Sequence, residues 1–225
     1  VNAVTITMDG SMDGLTTAES PTRFARANAT RKVVTMSDDD DAQLMLAYAR
    51  GELRAFETLY SRHRAALYRY LMRQARNPDL ANDLFQEVWS RVISNRARYE
   101  PRAKFRTFLF TLAHNCFIDH CRRSKARPTG ANIEDADDAD LLPASDETRP
   151  DTRLEREESN ARYRAALASL PPEQRDVYLL HEESDLSLEE IARVTGVGAE
   201  TAKSRLRYAV GKLKAALAVS ESSIP

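Results

Sequence analysis

Apolar residues recur at three- and four-residue steps along most of this chain, the spacing that lines one face of an α-helix. From Ala42 to about Arg127 the pattern is nearly continuous. Leu44, Ala47 and Tyr48 are followed by Ala55, Phe56, Leu59 and Tyr60, then by Ala66, Leu67, Tyr70 and Leu71. Asn77-Pro78 interrupts it and "DLANDLFQEVWSRVIS" restarts it. "RARYEPRAKF" reads as a loop around Pro101, and a long helix is expected from about Phe105 to Arg123.

The pattern stops at Pro128. Residues 128–153, "PTGANIEDADDADLLPASDETRPDTR", hold eight acids, three prolines and two arginines with few apolar positions. Such a stretch reads as an acidic flexible linker between two domains. Helical spacing returns from Leu154 to Leu217. Residues 1–35 carry no sustained period and are expected to be a disordered tail, or an extension ahead of a natural start at Met36. The expected division is therefore 1–35, a first helical domain over 36–127, a linker over 128–155 and a second helical domain over 156–220. The fold class is all-α.

Composition narrows the function classes. Seven glycines in 225 residues argue against a strand-and-turn fold or a glycine-cradled nucleotide site. Lys and Arg number 33 against 34 Asp and Glu, so any nucleic-acid contact has to come from local patches rather than overall charge. No apolar run approaches the ~18–20 residues of a membrane span, so no membrane insertion is expected. Two cysteines, Cys116 and Cys121, make no disulfide framework and fit a reducing cytoplasm.

The second domain carries the sharper signal. In "SLEEIARVTGVGAETAKSRLRYAVGKLKAAL", Ser187 and Glu190 have capping-box spacing, so a helix should start at Leu188. Gly196 supplies the left-handed turn that ends it. Ile191, Ala192 and Val197 are expected inside. A following helix, about Ala199 to Leu217, would bury Ala202, Leu206, Ala209 and Leu213 and leave Lys203, Arg205 and Arg207 facing out. Two helices, a glycine turn and a basic outer face make a helix-turn-helix, whose second helix enters the major groove. Lys and Arg reach phosphates and guanine edges there, and Thr201 and Ser204 work at shorter range. The plain alternative is a helical hairpin with a solvated face.

In the first domain, "NDLFQEVWSRV" places Leu84, Phe85, Val88 and Val92 on a buried stripe with Trp89 at its edge. Asp83, Gln86, Glu87 and Ser90 share the opposite face, which either solvates the helix or docks on a basic protein surface. "FRTFLFTLAHNCFIDHCRRSK" is apolar around most of its girth, with Thr107, Thr111, Asn115, Asp119 and Arg122 forming a polar stripe. Aromatic bodies, an amide and terminal arginines are what an unstacked strand needs: faces to stack on, a partner for base edges and cations for phosphates.

Taken in order, "DLFQEVW", "FRTFLFTLAHNCFIDHCRR" and "LPPEQRDVYLLHEESDLSLEEIARVTGVGAETAKSRL" resemble a bacterial RNA polymerase sigma factor of the extracytoplasmic-function group. The resemblance covers residues 40–127 and 156–217. It implies two all-helical domains, sigma region two and sigma region four. Asp83, Gln86 and Glu87 would then bind the clamp helices of the polymerase β′ subunit, and the β subunit would be a second contact. Phe108, Asn115, Asp119, Arg122 and Arg123 would melt and read the minus-ten element, with Asn115 lining a flipped-base pocket. Thr201, Lys203, Ser204, Arg205 and Arg207 would read the minus-thirty-five element. An anti-sigma factor is a further partner the resemblance allows. Phe108, where the family commonly has Trp, His114 and Tyr208 depart from the family pattern.

Two other classes compete. One is a stand-alone helix-turn-helix regulator whose first domain senses a ligand. The other is a helical metalloenzyme using His114, Cys116, His120 and Cys121. Cys116 and His120 are helical neighbours, but His114 and Cys116 lie about 160° apart around the axis, so all four cannot converge. "HEESD" at His181 lacks the second histidine of a zinc-protease helix. No nucleophile elbow or phosphate-binding loop appears, so no catalytic residue, cofactor or enzyme activity is expected.

Overall fold

Helix ends in this chain are set by local chemistry, and they fix the architecture of the computed structural model, which describes residues 38–126 and 150–221. Helix α1 (Asp38–Ala49) turns through Gly51, at φ 103°, into α2 (Leu53–Ala75). Arg76 ends α2 in the left-handed region. Asn77 then caps α3 (Pro78–Ser94), its side chain accepting from the Leu80 N–H at 2.8 Å, with Pro78 in the first turn where its missing N–H costs nothing. A short 3₁₀ turn (Arg96–Arg98) and the loop around Pro101 lead into α4 (Phe105–Ala126). The expected tail over 1–35 and most of the expected linker lie outside the described residues.

Helix α5 (Pro150–Ala168) begins four residues before the return of apolar spacing at Leu154, because a proline suits a first helical turn even where no apolar face follows. Residues 150–155, expected in the linker, therefore belong to a helix. Helices α6 (Pro172–Ser184), α7 (Leu188–Thr195) and α8 (Ala199–Glu221) complete the described residues. The capping box at Ser187 and Glu190 forms in both directions, and Gly196 ends α7 at φ 69°. With only eight residues, α7 is too short to hold itself in water, so caps and packing must hold it. Among the described residues no strand occurs.

Helices α1–α4 bury Met45, Leu59, Leu67, Leu71, Leu84, Val88, Leu109 and Phe110. Helices α5–α8 and the turn between α5 and α6 bury Leu167, Leu170, Val177, Leu180, Ile191, Ala209 and Leu213. Trp89, expected at the edge, is buried, while Phe85 is only partly covered. The reason lies on α2: Phe56 and Tyr60 hold the indole at ring-centroid distances of 5.6 and 5.0 Å. Val197 and Leu206 are likewise half-buried rather than core. All described residues belong to one compact unit, in which α6 packs on α2 and α7 packs on α4.

Candidate polymerase and nucleic-acid interfaces

The buried stripe of α3 turns Asp83 and Gln86 outward, where both are exposed. Glu87 is different. Its carboxylate accepts from Arg91 at 2.5 Å one turn on and lies 3.9 Å from Arg123 of α4. Arg91 also stands 4.0 Å from Asp119, and Asp119 stands 3.9 Å from Arg122. The sequence reading placed Glu87 in one site and Asp119, Arg122 and Arg123 in another. Side-chain reach joins them into one ionic lattice across α3 and α4. Each pair is exposed enough to contribute little stability, so Arg122 and Arg123, 78% and 66% exposed, are free to exchange partners.

On α4 itself Asn115 is exposed. Phe108 is half-buried, packed edge-on against Tyr99 at 5.3 Å and beside Phe105 at 6.1 Å, so it supports the surface more than it projects from it. Thr107, expected on the open polar stripe, is buried: its hydroxyl donates to Glu190 of α7 at 3.3 Å. Burial pushes the Cys116 thiol up to about 11, which leaves it protonated and unreactive near neutral pH. Among the described residues no cluster of three or more His, Cys, Asp or Glu can hold a metal ion.

Helix α8 carries the basic cluster. Ala202, Ala209 and Leu213 define its buried side, against α7 and α6. Thr201, Lys203 and Arg207 are exposed, whereas Ser204 and Arg205 are half-buried. The three cations do not share one face as expected. Residues two apart lie about 160° apart around a helix, so Arg205 falls on one flank while Lys203 and Arg207, one turn apart, share the other. Lys203 lies 3.6 Å from Glu200. Between the flanks stands Tyr208, 55% exposed, with the Arg207 guanidinium 5.1 Å from its ring centroid. In the sequence Tyr208 stands out only as a departure from the family pattern. Its exposure on the same face as Ser204, one turn away, places it within the candidate surface.

A second constellation joins α6 to α2 and α4. Glu183 of α6, with its side chain only 5% exposed, accepts from Arg69 at 2.7 Å and pairs with Arg73, both on α2. Asp176, two turns earlier on α6, accepts from Tyr70 at 2.8 Å and Gln74 at 2.6 Å, and lies 3.0 Å from His114 Nδ1. His114 thus lies against a carboxylate of α6. Burial and the neighbouring Asp176 push the Tyr70 hydroxyl well above its ordinary value, so it stays a donor. The spacing of Asp176 and Glu183, seven residues apart on one helix face, was the available signal.

The geometry defines a class: among the described residues, an all-helical protein with a helix-turn-helix over α7 and α8 and an acidic-to-basic surface on α3 and α4. Comparison with known proteins carries this further. Residues 59–127 match the Sigma-70 region 2 family, and residues 160–213 match Sigma-70, region 4. RNA polymerase sigma factor CarQ of Myxococcus xanthus is 32% identical over 76% of this chain and 93% of its own length. ECF RNA polymerase sigma factor EcfG of Rhodopseudomonas palustris is 35% identical over 64% of this chain and 74% of its own. Among solved structures, CnrH in complex with the cytosolic domain of CnrY superposes with TM-score 0.58 at 26% identity, covering 80% of this chain and 99% of that one. The sigma factor RpoE of Bartonella quintana, solved with the anti-sigma factor NepR, has TM-score 0.59 at 24% identity over 73% of this chain and 97% of that one, a likeness of fold.

The chain belongs to the extracytoplasmic-function group of RNA polymerase sigma factors, DNA-binding factors of transcription initiation and not enzymes. The region 2 match sets aside a ligand-sensing first domain. Among the described residues no helix is long and apolar enough to cross a membrane.

Proposed function

We propose that this chain docks on core RNA polymerase in the cytoplasm and directs it to promoters with two recognition elements. Residues 36–127 act as region two, 128–155 as the connection and 156–220 as region four. Asp83, Gln86 and Glu87 engage the β′ clamp helices, and region four meets the β subunit. Phe108, Asn115, Asp119, Arg122 and Arg123 open and read the minus-ten element. Thr201, Lys203, Ser204, Arg205 and Arg207 read the minus-thirty-five element, Ser204 from the middle of the helix face and the cations from its two flanks. The carrying observation is the ionic lattice on α3 and α4. It sets an acid-and-amide face beside exposed Asn115, Arg122 and Arg123, so one surface can hold protein and strand together. The complexes of CnrH and of RpoE from Bartonella quintana favour an anti-sigma factor as a further partner.

The physical logic is effective concentration. A chain with net charge −1 neutralises few phosphates on its own. Polymerase holds the two readers at the right separation, so the second contact becomes intramolecular. Run-off transcription with purified core tests this. Asp83→Lys with Glu87→Lys should abolish both co-purification with core and run-off product while helical content stays unchanged. Undiminished binding to core by that variant contradicts the docking assignment.

A further inference from the structure

The outer side of α8 carries two residues that its own packing does not call for. Ala202, Ala209 and Leu213 set the buried direction. At about 100° per residue, Gly211 falls about 180° from Ala202, on the outermost line of the helix. Arg207 and Tyr208 straddle that line, about 140° from Ala202 on one side and about 120° on the other. Tyr208 is 55% exposed, and the Arg207 guanidinium lies over its ring, 5.1 Å from the centroid. Gly211 follows Arg207 by one turn. It is not in the left-handed region, and a methyl group added there would meet nothing within 4 Å. Glycine inside a helix costs stability relative to alanine, and here neither a turn nor a crowded neighbour requires one. A bare backbone on the outermost line does let a second body approach closely.

We infer that Gly211, Tyr208 and Arg207 form one base-reading unit. Gly211 lets the duplex settle against α8, the Tyr208 ring packs on the 5-methyl group of a thymine, and the Arg207 fork reads a guanine beside it. This rests on the proposed reading of the minus-thirty-five element by α8. In the major groove a thymine is marked by its methyl group, and a guanine by two acceptors, O6 and N7. An aromatic ring supplies the apolar face that the methyl needs. A guanidinium supplies two parallel donors for the guanine. Stacking on Tyr208 holds that fork in one orientation before DNA arrives, so less freedom is lost on binding. The 5.1 Å from guanidinium to ring centroid lies between one and two base-pair steps of about 3.4 Å, so the two groups address neighbouring pairs.

The test uses the full chain bound to core polymerase and promoter DNA selected from a library randomised over the minus-thirty-five region. Wild type should select a thymine next to a guanine. On the selected DNA, deoxyuridine in place of that thymine removes one methyl group and should weaken the complex about fourfold. Tyr208→Phe should keep this sensitivity. Tyr208→Ala should lose it, together with most of an about tenfold preference for the neighbouring guanine. Gly211→Leu places a better helix former where the free chain has open space. Its melting temperature should be no lower than wild type, yet its complex should be several-fold weaker. Three results each overturn the unit: a wild type indifferent to deoxyuridine at every thymine, a Tyr208→Ala as sensitive as wild type, or a Gly211→Leu that binds as well. A Tyr208→Ala loss that is equal on all sequences overturns it too, by assigning the hydroxyl to a phosphate. Should no upstream element be selected while core still binds, the promoter reading by α8 fails, and the unit with it.

Discussion

The two modules of this sigma factor reach a folded state by different means. Helices α1–α4 are packed through rings: Tyr48, Phe56, Tyr60, Phe85 and Trp89 form a chain with neighbouring centroids between 4.8 and 6.4 Å. Helices α6–α8 have smaller core residues, and their geometry depends on ends: the Ser187–Glu190 box, the left-handed Asp185 and Gly196, and buried Ala192, Ala202 and Ala209 that let α8 approach. The difference follows the work each does. On the proposed reading, region two keeps a rigid platform beneath the strand that α4 receives. Region four has to present one helix at a fixed angle, and a capped turn does that with few residues.

This contrast can be broken by substitution. Phe105 is fully buried between His63, Tyr99 and Phe108. Phe105→Ala should cost about 3–5 kcal/mol of stability, the range for large-to-small changes in a tight core. Ser187→Ala removes one half of a capping box and should cost about 1 kcal/mol. Urea unfolding followed by circular dichroism measures both. If the serine change costs as much as the phenylalanine change, the modules are not built on different principles.

A smaller effect sharpens the picture of the first module. Asp41 ties α1 to α2, with its carboxylate 2.6 Å from His63 Nε2 and 2.5 Å from Arg62. Burial pushes its carboxyl up, but the contacts with His63 and Arg62 outweigh burial and hold it below its ordinary 3.8. The unfolded chain therefore takes up this proton more readily than the folded one. Asp41 stabilises fully above its ordinary value, and the contribution is lost as pH falls through the lower folded value. The urea midpoint should drop as pH is lowered from about 5 to about 3, and less steeply in Asp41→Asn. An equal slope in both would assign acid sensitivity to other carboxylates.

What was legible in the sequence was what is local. Asn77-Pro78, Ser187 with Glu190, Gly196 and the loop at Pro101 all act within four residues, and each ends or starts a helix where its chemistry indicated. Motif order made the family legible too. The interior polar groups were not legible. Thr107 meets Glu190 across 83 residues and Arg69 meets Glu183 across 114, so nothing near either residue announces its partner. The same holds for Glu87, whose partner Arg123 comes from the next helix, and for Arg205, whose half-burial depends on how α8 lies against its neighbours. Trp89 lies inside rather than at an edge because α2 supplies two rings, a tertiary fact that α3 periodicity cannot carry.

In the proposed function two readers act at two steps, and permanganate reactivity of unpaired thymines, read beside a footprint of the closed complex, separates those steps. With core polymerase and a cognate promoter, Asn115→Ala should lose thymine reactivity at least tenfold while the upstream footprint persists. Lys203→Ala with Arg207→Ala should lose the upstream footprint itself. Equal loss of both signals in both variants would contradict the division of labour between α4 and α8.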